Sequence, residues 1–157
     1  LSRTIDCDCA KAFEARLARE GDYKAFKKLL DQGKHPAFIG RDVFCRNAKN
    51  GGALLYYFSG ELAGVSLINP HHGILLALNV HPAHRGHGLG RAIVNFLMPN
   101  FARVVEGKVG WFEGQGYVRV GKMKEGRRLN TQVMARGALF ELAGRVRKVL
   151  GKKLKAG

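Results

Sequence analysis

Hydrophobic and polar positions alternate along this chain with two different periods. From residue 9 to 32, Ala10, Phe13 and Leu17, then Tyr23, Phe26, Leu29 and Leu30, recur near helical spacing. That predicts two helices parted at Gly21-Asp22, the second stopping at Gly33. Residues 34–52 hold His35-Pro36, Gly40 and Asn50-Gly51-Gly52, which predicts a loop. Ala53–Phe58, the pair Ser59-Gly60 and Glu61–Ile68 predict a β-hairpin. After a turn at Asn69–Gly73, the continuous apolar run Ile74–Val80 predicts a strand buried on both faces. A helix over Arg91–Met98 ends at Met98-Pro99. A short strand (Ala102–Glu106), a short helix (Lys108–Gly114) and a last hairpin (Val118–Met123 with Leu129–Ala135) follow. From Ala138 to Leu154, Leu139, Leu142, Val146, Val149 and Leu150 form one stripe opposite Arg145, Arg147, Lys148, Lys152 and Lys153, predicting a basic C-terminal helix. The order implies a mixed α+β fold, a sheet with helices on both faces, in a single domain over residues 1–157.

The segment between the central strand and its helix carries the most information. It reads Leu78-Asn79-Val80-His81-Pro82-Ala83-His84-Arg85-Gly86-His87-Gly88-Leu89-Gly90-Arg91. Glycines let a backbone approach a ligand, and amides at a helix start lack partners and point outward. The helix dipole, with Arg85 and Arg91, adds positive charge, so the segment suits a diphosphate. It is not a P-loop, because no Gly-Lys-Ser/Thr follows, and its glycine spacing is not that of a dinucleotide fingerprint. It resembles the acyl-CoA loop of the GNAT (GCN5-related N-acetyltransferase) superfamily, Arg/Gln-x-x-Gly-x-Gly/Ala, after a strand ending Leu-x-Val-x-Pro, matched by Leu78, Val80 and Pro82. Trp111-Phe112-Glu113-Gly-Gln-Gly116-Tyr117 resembles the later aromatic-aromatic-Glu-x-x-Gly-aromatic segment of that family. The resemblance spans roughly residues 52–136, with 137–157 as a basic tail. The first 50 residues show no resemblance to a known family.

The resemblance implies a three-layer fold with a mostly antiparallel sheet, splayed where the central strand and its neighbour diverge, and acetyl-CoA as cofactor in that gap. It implies cofactor contacts from Leu78, Val80, Arg85, Gly86, His87, Gly88, Leu89, Gly90, Arg91 and Phe112, and a backbone amide near Asn79-Val80 polarising the thioester carbonyl. Where the family often has a glutamate base this chain has Asn79, and where it often has a tyrosine acid it has Phe112; neither can move a proton. Tyr117 falls on a position usually used for packing, though it keeps a hydroxyl. His71, His72, His81 and His84 are further proton-handling candidates because histidine titrates near neutrality. His81, at the exit of the central strand, leads them, so Asn79, His81 and Tyr117 stand as the catalytic candidates. Tyr56 and Tyr57 alternate, so one faces the ligand side. Cys45 is either a nucleophile or a small buried hydrophobe.

Charge widens the choice of function. The chain carries 27 Lys and Arg against 12 Asp and Glu, a net charge of +15. That is a solvated basic surface or a nucleic-acid-binding one, and it disfavours a polycationic acceptor. No apolar run reaches the roughly 20 residues that cross a bilayer, and no signal-peptide pattern opens the sequence. Cys7-Asp-Cys9 is too close for an ordinary disulfide, so a reduced, cytoplasmic protein is expected, without a metal. Three functions fit: an acetyl-CoA-dependent N-acetyltransferase with an unidentified amine acceptor; a DNA-modifying enzyme of the Mom type; or a non-catalytic, nucleic-acid-binding module. The second rests on a similarity, including Leu129–Arg136, to small phage-encoded GNAT-like proteins. The oligomeric state is not legible.

Overall fold

The computed structural model describes residues 2–7, 11–33, 38–125 and 129–137. The expected C-terminal helix over 138–154 lies outside them. Chain contacts divide the protein into two units, Leu1–Pro99 and Asn100–Gly157.

The first unit is an antiparallel meander: β1 (Ser2–Asp6), β2 (Ala12–Leu17), β3 (Ala53–Phe58), β4 (Glu61–Asn69) and β5 (Ile74–Val80), each paired with the next. Among the described residues three α-helices serve it, α1 (Tyr23–Leu30), α2 (Arg41–Lys49) and α3 (Leu89–Leu97). The strand alternation of β3 shows how they layer. Ala53 and Leu55 pack with Phe26, Leu29 and Leu30 of α1 and Phe44 of α2. Leu54 and Tyr56 pack with Leu89, Ala92 and Ile93 of α3. Side chains two apart share a face, so α1 and α2 cover one face of this sheet and α3 the other.

Two expectations for the first fifty residues fail. The segment around Phe13 is not a helix but β2, where Phe13 and Ala15 are buried while Glu14 and Arg16 are exposed. Phe13 and Leu17 are four apart, a spacing that also fits a helix; here Leu17 lies half exposed, and pairing with β1 and β3 sets the conformation. Residues 41–49 are not loop but α2, short and polar, held by fully buried Phe44, whose ring lies 4.8 Å from that of Phe26 and 5.2 Å from that of Tyr23. Its other buried residue is Asn47, whose Nδ2 donates to the Val43 carbonyl at 2.8 Å, so an apolar count misses the inner face.

The expected helix over 23–30 is present, with Phe26, Leu29 and Leu30 inward. The β3–β4 hairpin turns at Ser59-Gly60, both with positive φ (49° and 81°), as a type I′ turn requires. β5 departs from the expectation of full burial: Leu75 and Ala77 are buried, and the rest of the strand is half-buried. Inside the sheet, the Tyr56 hydroxyl and Ser66 Oγ, both fully buried, meet at 2.8 Å. Burial pushes the Tyr56 ionisation well up, so it stays a neutral hydrogen-bonding group. Tyr56→Phe strands the Ser66 hydroxyl and is expected to cost about 1–2 kcal/mol. Adding Ser66→Ala should recover part of this, read as shifts of the urea midpoint.

The second unit holds β6 (Phe101–Val105), α4 (Val109–Gly114), β7 (Tyr117–Glu125) and β8 (Leu129–Arg136), with β8 paired antiparallel to both β6 and β7. Phe112 of α4 is buried, its ring 4.9 Å from Trp111 and 5.8 Å from Tyr117. Buried Gln132 donates from Nε2 to Glu106 at 2.8 Å. Among the described residues, no helix is long and apolar enough to cross a membrane.

Candidate functional site

The end of β5 is built so that one amide is turned outward. The His81 N–H donates to the Ala63 carbonyl at 2.7 Å, and Val80 lies opposite Gly64. In an antiparallel ladder, hydrogen-bonded and non-bonded pairs alternate, so Asn79 and His81 face β4 with their backbone groups and Val80 faces away. The Val80 carbonyl, on that outer side, accepts from Arg85 Nε at 3.0 Å. The Val80 N–H points to the same side. Asn79 braces this arrangement. Its Nδ2 donates to the Leu29 carbonyl at the end of α1 (2.8 Å), and its Oδ1 accepts from an Arg85 terminal nitrogen at 3.5 Å.

The loop then turns through a short 3-10 segment, Pro82–His84. His81 caps it, its Nδ1 accepting from the Ala83 N–H at 3.0 Å. A ring nitrogen that accepts holds no proton, so neutral His81 carries its proton on Nε2. His84 is buried against the rings of Phe13, Phe58 and His81, with its Nε2 3.4 Å from Glu61. Gly86 and Gly88 take φ of 81° and 78°, which only glycine adopts without strain. A side chain at Gly86 would meet no atom within 4 Å, so its glycine serves the turn and leaves open space beside it. Gly88 caps α3, with no side chain satisfying the cap, and its carbonyl accepts from Ala92 at 2.9 Å. The amides of Gly88, Leu89 and Gly90 find no backbone acceptor outside the helix among the described residues, and helix geometry gives them none within it. Buried Leu89 anchors this helix start to the sheet.

The structure therefore gathers Leu78, Asn79, Val80, His81 and Arg85–Arg91 at one end of the first unit. Phe112 and Tyr117 touch each other in the second unit; burial raises the Tyr117 ionisation and keeps the phenol protonated. His71 and His72 are exposed in the turn at the other end of β5, a strand length of roughly 20 Å away, and are not part of the cluster. Tyr56 is committed to Ser66, Tyr57 lies under the Arg16 guanidinium (4.4 Å), and Cys45 packs half-buried beside the α1–α2 core. Lys11 is a residue the sequence did not single out: its Nζ lies 3.2 Å from His87 Nε2. No spacing rule links residues 76 positions apart.

This architecture has known counterparts. The family model described as Acetyltransferase (GNAT) family matches residues 17–111, reaching upstream of the two motifs through α1 and α2. The chain belongs to that family. Among solved structures, Ard1 from Thermoplasma volcanium is 13% identical with a TM-score of 0.63, over 78% of this chain and 95% of that one. Arabidopsis thaliana Naa50, in complex with the bisubstrate analogue CoA-Ac-MVNAL, is 14% identical with a TM-score of 0.62, over 78% and 97%. The ribosomal-protein-S18-alanine N-acetyltransferase of Escherichia coli is 16% identical with a TM-score of 0.59, over 78% and 92%. No curated protein matches the chain.

Proposed function

We propose that this protein is an acetyl-CoA-dependent N-acetyltransferase acting on an amine acceptor. The observation that carries the reading is the helix start at Gly88–Gly90, where amides with no backbone acceptor among the described residues stand beside left-handed glycines. Those amides and the dipole of α3 fit the charge and geometry of a diphosphate, with Arg91 at the same helix start. Bound there, acetyl-CoA supplies an acetyl group activated as a thioester. The Val80 N–H, turned away from β4, is placed to polarise a carbonyl, and Arg85 on the Val80 oxygen holds that peptide in place. Asn79 orients α1, the strand end and Arg85; it does not act as a base. His81 offers an Nε2–H donor while its Nδ1 is spent on the cap, so it serves as an acid or an orienting group. As the amine nitrogen bonds the carbonyl carbon, the C–S bond would break, the amine would lose its proton to water, and CoA would leave as a thiolate that takes a proton from solvent or from His81; positioning supplies most of the rate. Calorimetry of the intact protein with acetyl-CoA should show one-site binding; folded protein that binds none removes the assignment.

The net charge of +15 favours a second reading, a GNAT-fold enzyme or module acting on nucleic acid. Mass spectrometry of nucleosides from cells expressing the protein tests base modification, and unchanged nucleosides dismiss it.

A further inference from the structure

Lys11 stands just before β2, outside the span that matches the family model. Its ammonium reaches the loop, 3.2 Å from His87 Nε2, and lies 4.9 Å from the centroid of the Phe58 ring. A lysine ammonium has three donors and no acceptor, so His87 Nε2 accepts. The Phe58 ring supplies a cation–π contact on another side. Neither contact neutralises the charge. The sequence from Leu62 to Val105, which holds β5, the loop and α3, contains no Asp or Glu. Two basic side chains thus meet next to amides with no backbone acceptor among the described residues, in a segment with no carboxylate of its own.

We propose that Lys11 is a diphosphate ligand of the acyl donor, delivered to the loop by the N-terminal hairpin; the inference rests on the donor reading above. Arg85, the arginine of the loop motif, has its Nε committed to the Val80 oxygen, so its role is to hold the strand end. Lys11 provides a mobile point charge, aimed by His87 and Phe58, with a donor left to turn to a phosphate oxygen.

The test is calorimetry of the intact chain with acetyl-CoA and with dephospho-CoA, which keeps the diphosphate and lacks the 3′-phosphate. Lys11→Met is expected to weaken both by about tenfold, a size typical of one lost charge-assisted contact. Lys11→Arg should stay within about twofold of the wild type. Lys11→Gln repeats the loss should the Met variant fold poorly, and an unchanged melting temperature marks the variants as sound. Unchanged affinity in Lys11→Met overturns the proposal. So does a loss confined to acetyl-CoA, which would move the contact to the 3′-phosphate, or an equal loss in Lys11→Arg. Wild-type protein that binds neither ligand removes the donor reading itself, whereas wild-type binding with an indifferent Lys11→Met removes this inference alone.

Discussion

Gly88→Glu should reduce acetyl-CoA affinity by about a thousandfold, to below detection in a calorimeter. Two effects add. Gly88 sits at φ 78°, where a side chain costs about 1–2 kcal/mol. The new carboxylate also stands beside the amides that would face the diphosphate. One pair of like charges about 4 Å apart near a protein surface repels by about 4 kcal/mol, which is close to three decades in affinity. Gly88→Ala separates the two. It carries the same backbone strain without the charge, and it should lower stability modestly and weaken binding by no more than about tenfold. Gly88→Glu that binds like Gly88→Ala, with both folded, would show that the donor phosphates lie elsewhere.

The readable parts of this protein share one trait: their chemistry is local. Ser59-Gly60 turns a hairpin because both residues take positive φ, and the loop glycines mark a helix start within a few residues of each other. The unread parts depend on distant partners. Phe13 and Leu17 fit a helical period as well as a strand, and only pairing across β1 and β3 decides between them. α2 hides because one of its two buried residues is an asparagine. The site divides in the same way. The open amides of the helix start follow from the motif, but the contacts of Asn79 and Arg85 do not. Asn79 bonds a carbonyl fifty residues away, at Leu29, and that contact turns a position where the family often places a base into a brace. Motif matching assigns Arg85 to the phosphates because the pattern begins with it; the fold uses its Nε to hold the Val80 carbonyl.

Gly52→Ala should be the most damaging small substitution in the scaffold, lowering stability by about 3–4 kcal/mol. Gly52 closes the link from α2 to β3, donating to the Asn47 carbonyl at 2.7 Å and accepting from the Ile68 N–H at 2.8 Å. A methyl group there would run into the Ile68 carbonyl oxygen, with Pro70 Cδ at 3.0 Å and the Asn47 carbonyl at 3.1 Å. Two of the three obstacles are backbone, so no rotamer change relieves them. The chain must shift, at about 1–3 kcal/mol for overpacking and about 1 kcal/mol for each backbone hydrogen bond weakened. Against a total stability of about 5–15 kcal/mol this is a large share. Gly21→Ala is the contrast, since a methyl there meets nothing within 4 Å, and its urea midpoint should hold or rise slightly. A Gly52→Ala loss below about 1 kcal/mol would mean the α2–β3 link is more pliant than its contacts imply. The Gly52 end of β3 pairs with the end of β4 that pairs in turn with the start of β5, away from the loop at the other end of β5. Whatever fraction of Gly52→Ala remains folded should therefore bind acetyl-CoA as the wild type does, the reverse of Gly88→Glu, which should stay folded and not bind.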